Sequence, residues 1–281
     1  MAARPRRTMW TKALRLACWN PDGVRSRKQV PDHFFGQHGM DMCLLNKTHV
    51  RSGEVFRLAT YVCHRNDRLT EGGGTAILVR RGIDHHAVPV QGLEHLEDTA
   101  IQVILVSKAV KILAAYLSPS RPLIASDLSA CHGGGLPVLM AGDLNAKHVE
   151  WNSRLITKRC RLLRDYADEN SCLIYGPNTP TTVSYNPSAT PDVLDIALTK
   201  HLFSPMYLTT CSALSSDHLP ILIDAHCRSS FLSPPDRPEL RTDWPKFQAG
   251  LEAGLTSNLT SRMRWLSTRV SRKCQAISRK R

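Results

Sequence analysis

The sequence predicts a mixed α/β protein built in layers, and three observations support that fold class. Apolar residues make up 42% of the 281 residues and charged residues 22%, which is typical of a globular chain that buries a core. Short apolar runs of strand character recur from Leu14 to Ile223. Signals for helices are few and lie between those runs, and strands interleaved with helices are typical of layered α/β folds.

Eight segments are predicted as strands, because they are short, apolar and often bounded by turn residues. Their apolar character is nearly continuous, which indicates that many of them are buried on both faces. They are Leu14–Cys18, Met40–Leu45, Thr75–Val79, Ala100–Val106, Ile112–Tyr116, Val138–Ala141, Val193–Leu198 and Leu219–Ile223.

Two helices are predicted between these strands. Thr157 can cap a helix that runs to Asn170. One face of this helix is apolar and consists of Cys160, Leu163, Tyr166 and Ala167. A second helix is expected around Pro122–Cys131, and the glycines that follow His132 would end it.

Basic residues are concentrated at the two ends of the chain. The formal net charge is +13, yet residues 13–227 carry 21 basic and 20 acidic residues and are nearly neutral. We therefore expect a basic extension (1–12), one globular domain (13–227), and a linker with a basic tail (228–281) that includes a short helix around Phe247–Leu255. Basic ends raise the affinity for phosphate groups, although a solvated terminus without a role has the same composition.

Cysteine usage and the N-terminal sequence indicate an intracellular protein. The nine cysteines are scattered and contain no Cys-x-x-Cys pair, which argues against a disulfide framework and a zinc site. The N-terminal segment lacks the apolar core of a secretory signal, and no apolar run reaches the ~20 residues that span a bilayer. We expect a protein of the nucleus or cytoplasm that is neither secreted nor held in a membrane. Nothing in the sequence indicates an oligomeric state.

Polar clusters follow or interrupt the predicted strands, where layered α/β folds place their active sites. These clusters are Trp19–Gly23, Leu44–His49, Ala115–Pro119, Met140–Ala146, and the pair formed by Pro191–Leu198 and Ser215–Pro220. Acidic, amide, tyrosine and histidine side chains gathered at these strand ends predict a site for catalysis.

Several of these residues have chemistry that suits hydrolysis. Strand alternation places Asp143 and Asn145 on the same side, where a carboxylate and an amide can orient a water. Asp195 interrupts a buried strand, which is costly unless it meets a partner. In Asp217-His218 a carboxylate accompanies a titratable imidazole and can fix its tautomer or hold a cation.

Structural explanations stay open for other members of the clusters. The Asn20 to Asp22 segment could be an Asx-turn, and Tyr116 could be a half-buried core aromatic. Tyr185 lies in a segment that could form a loop probing a DNA groove, but an exposed loop tyrosine is also common without a function.

The motifs resemble, in content and order, the abasic-endonuclease-like domain of jockey-type non-LTR retrotransposons, which is related to exonuclease III within the endonuclease/exonuclease/phosphatase superfamily. The matching segments are WNPDG, NKTH, AYLSP, GDLNAKHVEWNSR, TPTTVSY with TPDVLDIAL, and SSDHLPI. The resemblance covers about residues 13–225. It implies a four-layered αββα sandwich of two mixed sheets, and Mg²⁺-dependent nicking of DNA that leaves a 3′-hydroxyl for target-primed reverse transcription.

The resemblance also implies a catalytic role for five residues. Asp143 would activate the attacking water, and Asn145 would position that water and the phosphate. His218 would contact the scissile phosphate and be oriented by Asp195. Tyr116 would donate a hydrogen bond to the phosphate or to the leaving oxygen.

Metal and substrate contacts are implied in the same way. Mg²⁺, which Mn²⁺ could replace, would lie beside Asn20 and Asp217. Substrate binding is assigned to Asp22, Ser216 and Tyr185. The full-length relatives carry a reverse transcriptase in the same chain, whereas this sequence ends shortly after the domain, so we expect a fragment or a decayed copy of an element.

One position departs from the family pattern. The second motif of the family ends in Glu-Thr-His, and its Glu is the principal metal ligand, whereas this chain has Lys47. An ammonium group cannot coordinate Mg²⁺ and repels it, so weak or absent cleavage is expected. Two alternatives to a nicking endonuclease therefore remain: an inactive DNA-binding remnant, and a phosphatase or phosphodiesterase of the same superfamily that acts on a non-DNA phosphoester.

Overall fold

A computed structural model describes residues 9–24, 29–68, 72–105, 108–183, 190–202 and 206–232, together with residue 249. The chain divides into two compact units, Met1–Ser233 and Pro234–Arg281. Apart from residue 249, the described residues all belong to the first unit. The loop that contains Tyr185 lies outside the described residues. So does the helix expected around Phe247–Leu255, apart from residue 249.

Twelve strands and three α-helices make up the described part of the chain. The strands are β1 (Met9–Trp19), β2 (Met42–Asn46), β3 (Tyr61–Asn66), β4 (Thr75–Arg80), β5 (His85–Ala87), β6 (Glu97–Ile104), β7 (Ala109–Tyr116), β8 (Val138–Asp143), β9 (Cys172–Tyr175), β10 (Asp195–Lys200), β11 (Tyr207–Thr210) and β12 (Ile221–Leu232). The helices are α1 (Gln29–Gln37), α2 (Ala125–His132) and α3 (Lys158–Glu169), and a short 3-10 helix covers Val149–Trp151.

The strands form two mixed six-stranded sheets with the same pattern of directions. The first sheet has the order β11-β12-β1-β2-β4-β3, and the second has the order β5-β6-β7-β8-β10-β9. In each sheet a parallel pair lies at the centre, β1 with β2 and β7 with β8, and the flanking pairs are antiparallel. The carboxyl ends of two neighbouring strands therefore open at one edge of each sheet, which is where parallel strands place functional loops.

Three apolar layers hold the fold together. The inner faces of the two sheets pack against each other through residues such as Leu44, Ile77 and Ile112. Phe35 of α1 packs on the outer face of the first sheet, and Leu163 of α3 packs with α2 on the outer face of the second. The order of layers is helix, sheet, sheet, helix, so the predicted four-layered αββα sandwich is confirmed. No helix in the described ranges is long and apolar enough to cross a membrane.

All eight predicted strands are present, but four further strands and α1 were not predicted. The missed strands β3, β5, β9 and β11 are the outermost strands of the two sheets. They carry polar residues such as His64, Arg65 and His86, because an edge strand is only partly covered. The predicted helix boundaries near residues 157 and 170 are confirmed. The expected side-chain cap is wrong, because the Thr157 hydroxyl accepts a hydrogen bond from the Lys147 N–H instead of capping α3.

Candidate active site

The predicted polar residues meet at one edge of the sandwich, where strands of both sheets end. Asp143 is the last residue of β8, and it lies opposite Asp195, the first residue of β10, in the antiparallel register. On its other side Asp143 lies opposite Tyr116, the last residue of β7. Asn20 follows β1 directly, and His218 precedes β12. The topology therefore brings together residues that are far apart in the sequence.

Asp143 lies at the centre of this site and is almost fully buried. Its Oδ2 accepts a hydrogen bond from Asn20 Nδ2 at 3.0 Å, and its Oδ1 accepts one from the backbone N–H of Asn145 at 3.0 Å. Burial and the neighbouring charge of Asp195 raise the pKa of Asp143 to about 6, although His218 and these hydrogen bonds oppose the shift. At neutral pH the carboxylate is ionised and held in a fixed orientation.

His218 and Asp195 form the second part of the site. His218 Nδ1 lies 2.7 Å from Asp195 Oδ2, and its Nε2 lies 3.8 Å from Asp143 Oδ2. Burial acts to lower the pKa of His218, but the negative charges of Asp195, Asp143 and Asp217 outweigh it and raise that pKa to about 9. The imidazole is therefore protonated at neutral pH, and its Nδ1–H donates to Asp195.

The turn that carries His218 is fixed against the end of β1. Trp19 Nε1 donates to the backbone oxygen of His218 at 3.1 Å. Ser216 Oγ donates to the backbone oxygen of Asn20 at 2.8 Å and accepts from the His218 N–H at 3.2 Å. Asp217 is half-buried, and its Oδ1 lies 3.2 Å from the same serine hydroxyl. In the described structure Ser216 thus supports the turn.

Asn46 links the two sheets beneath the site, a role that the sequence analysis did not identify. With its amide oriented to satisfy both neighbours, the fully buried Asn46 donates to Ala115 O at 3.1 Å and accepts from the Asp143 N–H at 3.2 Å. Gly142 permits the close approach of β7 and β8, because a Cβ there would lie 1.7 Å from Ala115 O. The position of an amide at the end of β2 was the only signal in the sequence.

The loops that follow β7 and β8 are tied together by Arg159 of α3, which sequence reasoning also missed. Asn145 has a left-handed backbone (φ 49°), and its Nδ2 donates to Leu117 O at 3.0 Å. The Arg159 guanidinium donates to Asn145 O at 3.1 Å and to three backbone oxygens of the other loop. Those three acceptors belong to Ser118, Pro119 and Arg121. In the sequence Arg159 has no feature that separates it from other basic residues of an amphipathic helix.

Tyr116 is buried beside Asp143 at the end of β7. Burial, followed by the negative charges of Asp143 and Glu97, raises the pKa of Tyr116 to about 12. The phenol therefore stays protonated at neutral pH and is able to donate a hydrogen bond.

Asp22 and Lys47 lie at the exposed rim of the site. Lys47 Nζ is 2.6 Å from Asp22 Oδ1, and the side chains are 33% and 43% exposed. Both residues have left-handed backbones, with φ of 50° at Lys47 and 47° at Asp22. The Asp22 N–H donates to Asn20 Oδ1 at 3.0 Å, so Asn20 forms the Asx-turn and contacts Asp143 as well.

The described residues do not fit the Mg²⁺ site that the resemblance implies. No group of three or more His, Cys, Asp or Glu side chains within the described ranges could hold a metal ion. The ammonium of Lys47, at the position where the resemblance implies a carboxylate, pairs with Asp22, and Asn20 Oδ1 already accepts a hydrogen bond. Mg²⁺ is usually held by one or two protein carboxylates and several waters, and the ammonium of Lys47 cannot serve as one of those ligands.

Comparisons of the sequence with known proteins identify related chains. A family model described as "Endonuclease-reverse transcriptase" matches residues 110–222. The RNA-directed DNA polymerase from mobile element jockey of Drosophila melanogaster is 26% identical over 222 residues, which is 78% of this chain and 24% of that protein. The probable RNA-directed DNA polymerase from transposon BS of the same organism is 27% identical over 259 residues, covering 88% of this chain and 28% of that protein. This chain thus spans about a quarter of the length of these relatives.

Solved structures share the fold. The endonuclease domain of TRAS1, a telomere-specific non-LTR retrotransposon, superposes with a TM-score of 0.63 at 15% identity, covering 75% of this chain and 97% of that chain. The AP endonuclease LMAP from Leishmania major has a TM-score of 0.59 at 12% identity, covering 83% of this chain and 90% of that chain. This chain is therefore similar in sequence to retrotransposon proteins of the endonuclease-reverse transcriptase type, and it shares its fold with the endonuclease domain of TRAS1 and with AP endonucleases.

Proposed function

We propose that this chain is the DNA-nicking endonuclease domain of a non-LTR retrotransposon, and that Lys47 impairs its metal site. The observation that carries the proposal is the buried network in which Asp143, Asn20, Asp195 and His218 are held at one strand edge. Buried charges are costly unless they are paired and hydrogen-bonded, so a set of this kind is more typical of a reaction site than of a core. Full-length relatives would carry a reverse transcriptase in the same chain, and this domain would act on DNA in the nucleus or cytoplasm.

In this proposal Asp143 receives a proton from the attacking water. The carboxylate accepts two hydrogen bonds but has about four acceptor positions, so it retains capacity for a water. The water oxygen forms the new bond to phosphorus, the bond from phosphorus to the 3′ oxygen breaks, and the 3′ oxygen takes up a proton from solvent to give the 3′-hydroxyl. Asn145 would help to position the water, since its backbone is fixed by the hydrogen bond to Asp143.

His218 and Tyr116 would act on the phosphate. The protonated imidazole, oriented by Asp195, places a positive charge where negative charge develops on the phosphate oxygens. The protonated Tyr116 would donate a hydrogen bond to the phosphate or to the leaving 3′ oxygen. Asp22 and Ser216 are proposed substrate contacts, as is Tyr185.

Lys47 is the reason to expect low activity. Mg²⁺ or Mn²⁺ is the cofactor that we propose for an intact domain, with Asn20 and Asp217 nearby, and it would act as a Lewis acid on the phosphate. A cation fixed at the rim opposes the binding of a second cation, and the Asp22 carboxylate is engaged by Lys47.

A second candidate function is a DNA-binding remnant without catalysis. The exposed Lys47 at the rim favours it, because an ammonium beside the site would contact phosphate without a metal. This candidate predicts affinity for duplex DNA that persists in EDTA and falls with rising salt.

Nicking of supercoiled plasmid with Mg²⁺ or Mn²⁺ tests the proposal. Three proteins are compared: the chain itself, Lys47→Glu, and Lys47→Glu combined with Asp143→Ala. We expect strong nicking from Lys47→Glu alone, since it restores the carboxylate, and loss of nicking in the double variant. If none of the three proteins nicks the plasmid and duplex binding persists in EDTA, the result would instead support the DNA-binding remnant.

A further inference from the structure

Two histidines that the proposed reaction does not use meet between the edges of the two sheets. His64 lies on β3, the edge strand of the first sheet, and His85 begins β5, the edge strand of the second. Their Nε2 atoms are 2.9 Å apart, and the ring planes are nearly perpendicular at 89°. Both side chains are partly exposed.

The proton position of a neutral His85 follows from its neighbour. His85 Nδ1 is 2.8 Å from the backbone oxygen of Ile83, and a carbonyl only accepts, so Nδ1 carries a hydrogen. A neutral His85 therefore presents the lone pair of Nε2 to His64. His64 donates a hydrogen bond to that lone pair when its hydrogen is on Nε2. When its hydrogen is on Nδ1, both Nε2 atoms are available to one metal ion, at about the separation of two nitrogens bound to the same metal.

We propose that His64 and His85 bind one transition-metal dication, such as Zn²⁺ or Ni²⁺, and so join the edges of the two sheets. Bonds of about 2.0–2.1 Å place two imidazole nitrogens ~2.9 Å apart at an angle of about 90° and ~3.3 Å apart at the tetrahedral angle of zinc, so the ring positions need to change by only a few tenths of an ångström. The carbonyl of Ile83 orients His85 in the way that outer hydrogen bonds orient metal-binding histidines.

The donor atoms decide which metals fit. Imidazole nitrogen suits zinc, nickel and copper, whereas Mg²⁺ prefers oxygen, so this site is distinct from any nuclease cofactor. Within the described ranges no third His, Cys, Asp or Glu completes the group. Water would fill the other positions from the cavity of about 380 Å³ on which His64 opens. Affinity should therefore be lower than that of a four-ligand structural zinc site.

Thermal unfolding of the whole chain with Zn²⁺ or Ni²⁺ tests the site, with Mg²⁺ as the comparison ion. We expect Zn²⁺ to raise Tm by about 5 °C when it exceeds Kd a hundredfold. His64→Gln and His85→Gln should each raise, at least tenfold, the Zn²⁺ concentration that is needed for the same rise in Tm. His86→Gln is the matched control, because His86 is the exposed neighbour of His85 on the same strand. If the rise in Tm with Zn²⁺ is lost equally in all three variants, or fully retained in all three, the proposal is overturned.

A second measurement uses the unaltered chain and so does not depend on how the variants fold. Histidine modification by diethylpyrocarbonate is mapped by mass spectrometry with and without Zn²⁺. We expect Zn²⁺ to slow modification of His64 and His85 and to leave His86 unchanged. Equal rates at His64 with and without Zn²⁺ would contradict the proposal, whatever the outcome of the nicking assay.

Discussion

The buried centre of the site and its exposed rim differ in how their charges are held. At the centre, Asp143, Asp195 and His218 are at most 8% exposed. His218 is hydrogen-bonded to Asp195 at 2.7 Å, and Asp143 accepts a hydrogen bond from Asn20 at 3.0 Å. At the rim, Asp22 and Lys47 are a third or more exposed and make a simple ion pair. The difference teaches that the residues proposed to position water and phosphate are fixed by the fold, whereas the proposed metal site includes an exposed residue that can change without disturbing the core.

The largest contrast is expected in stability. Asp195→Ala leaves the buried imidazole of His218 without its partner, which should lower the free energy of unfolding by about 3–5 kcal/mol. Lys47→Gln breaks a solvent-screened pair and should change it by less than about 1 kcal/mol. Urea unfolding of both variants measures the contrast. Similar losses from the two changes would mean that the centre and the rim do not differ as described.

The pH dependence of stability should also separate the two regions. The pKa of His218 is about 9 in the folded chain, above its ordinary value of 6.5, so its contribution is complete below pH 6.5 and is lost as the pH rises through 9. The raised pKa of Asp143, about 6, acts in the same direction at lower pH. We expect the free energy of unfolding to fall on the order of 1–3 kcal/mol between pH 6.5 and 9.

Two variants control for this pH effect. His218→Gln removes the titrating imidazole and should flatten the slope between pH 6.5 and 9. Lys47→Gln should keep the slope, because Lys47 is not among the charges that shift the pKa of His218. A slope that persists unchanged in His218→Gln would show that another group is responsible.

A smaller effect is expected from Arg159, which acts on the centre through two loops. Arg159→Lys keeps the charge but loses the planar set of donors that contacts four backbone oxygens. We expect a loss of about 1–2 kcal/mol in the free energy of unfolding. Arg161→Lys, on an exposed position of the same helix, is the matched control and should be neutral. An equal loss in both variants would contradict a special role for Arg159.

Central and edge strands of the fold were not equally predictable. The central strands are buried on both faces, so their apolar runs stand out, as in Met140 and Ala141 of β8. The edge strands β3 and β5 include His64 and His86, and residues of that kind match a loop as well as a strand. Their identity depends on partners distant in the sequence, which no local pattern contains.

The residues of the site also differ in how well the sequence predicted them. Asp143 and His218 were recognisable because polar residues at the ends of apolar runs have few structural explanations. The geometry places both in one network. Asn46 and Arg159 were missed as structural residues of the site, since their importance comes from backbone oxygens that the fold brings near them. Residues that support a site through backbone contacts carry no chemical signature of their own.

The most direct test of an intact centre beside an impaired metal side is single-turnover nicking over a Mg²⁺ titration, comparing the chain with Lys47→Glu and Lys47→Gln. The Gln variant removes the repelling charge without adding a carboxylate, so it separates repulsion from ligation. We predict saturable Mg²⁺-dependent nicking by Lys47→Glu, at least tenfold faster than by either other protein. Equally fast nicking by the unaltered chain would contradict the account, because Lys47 would then not limit the reaction.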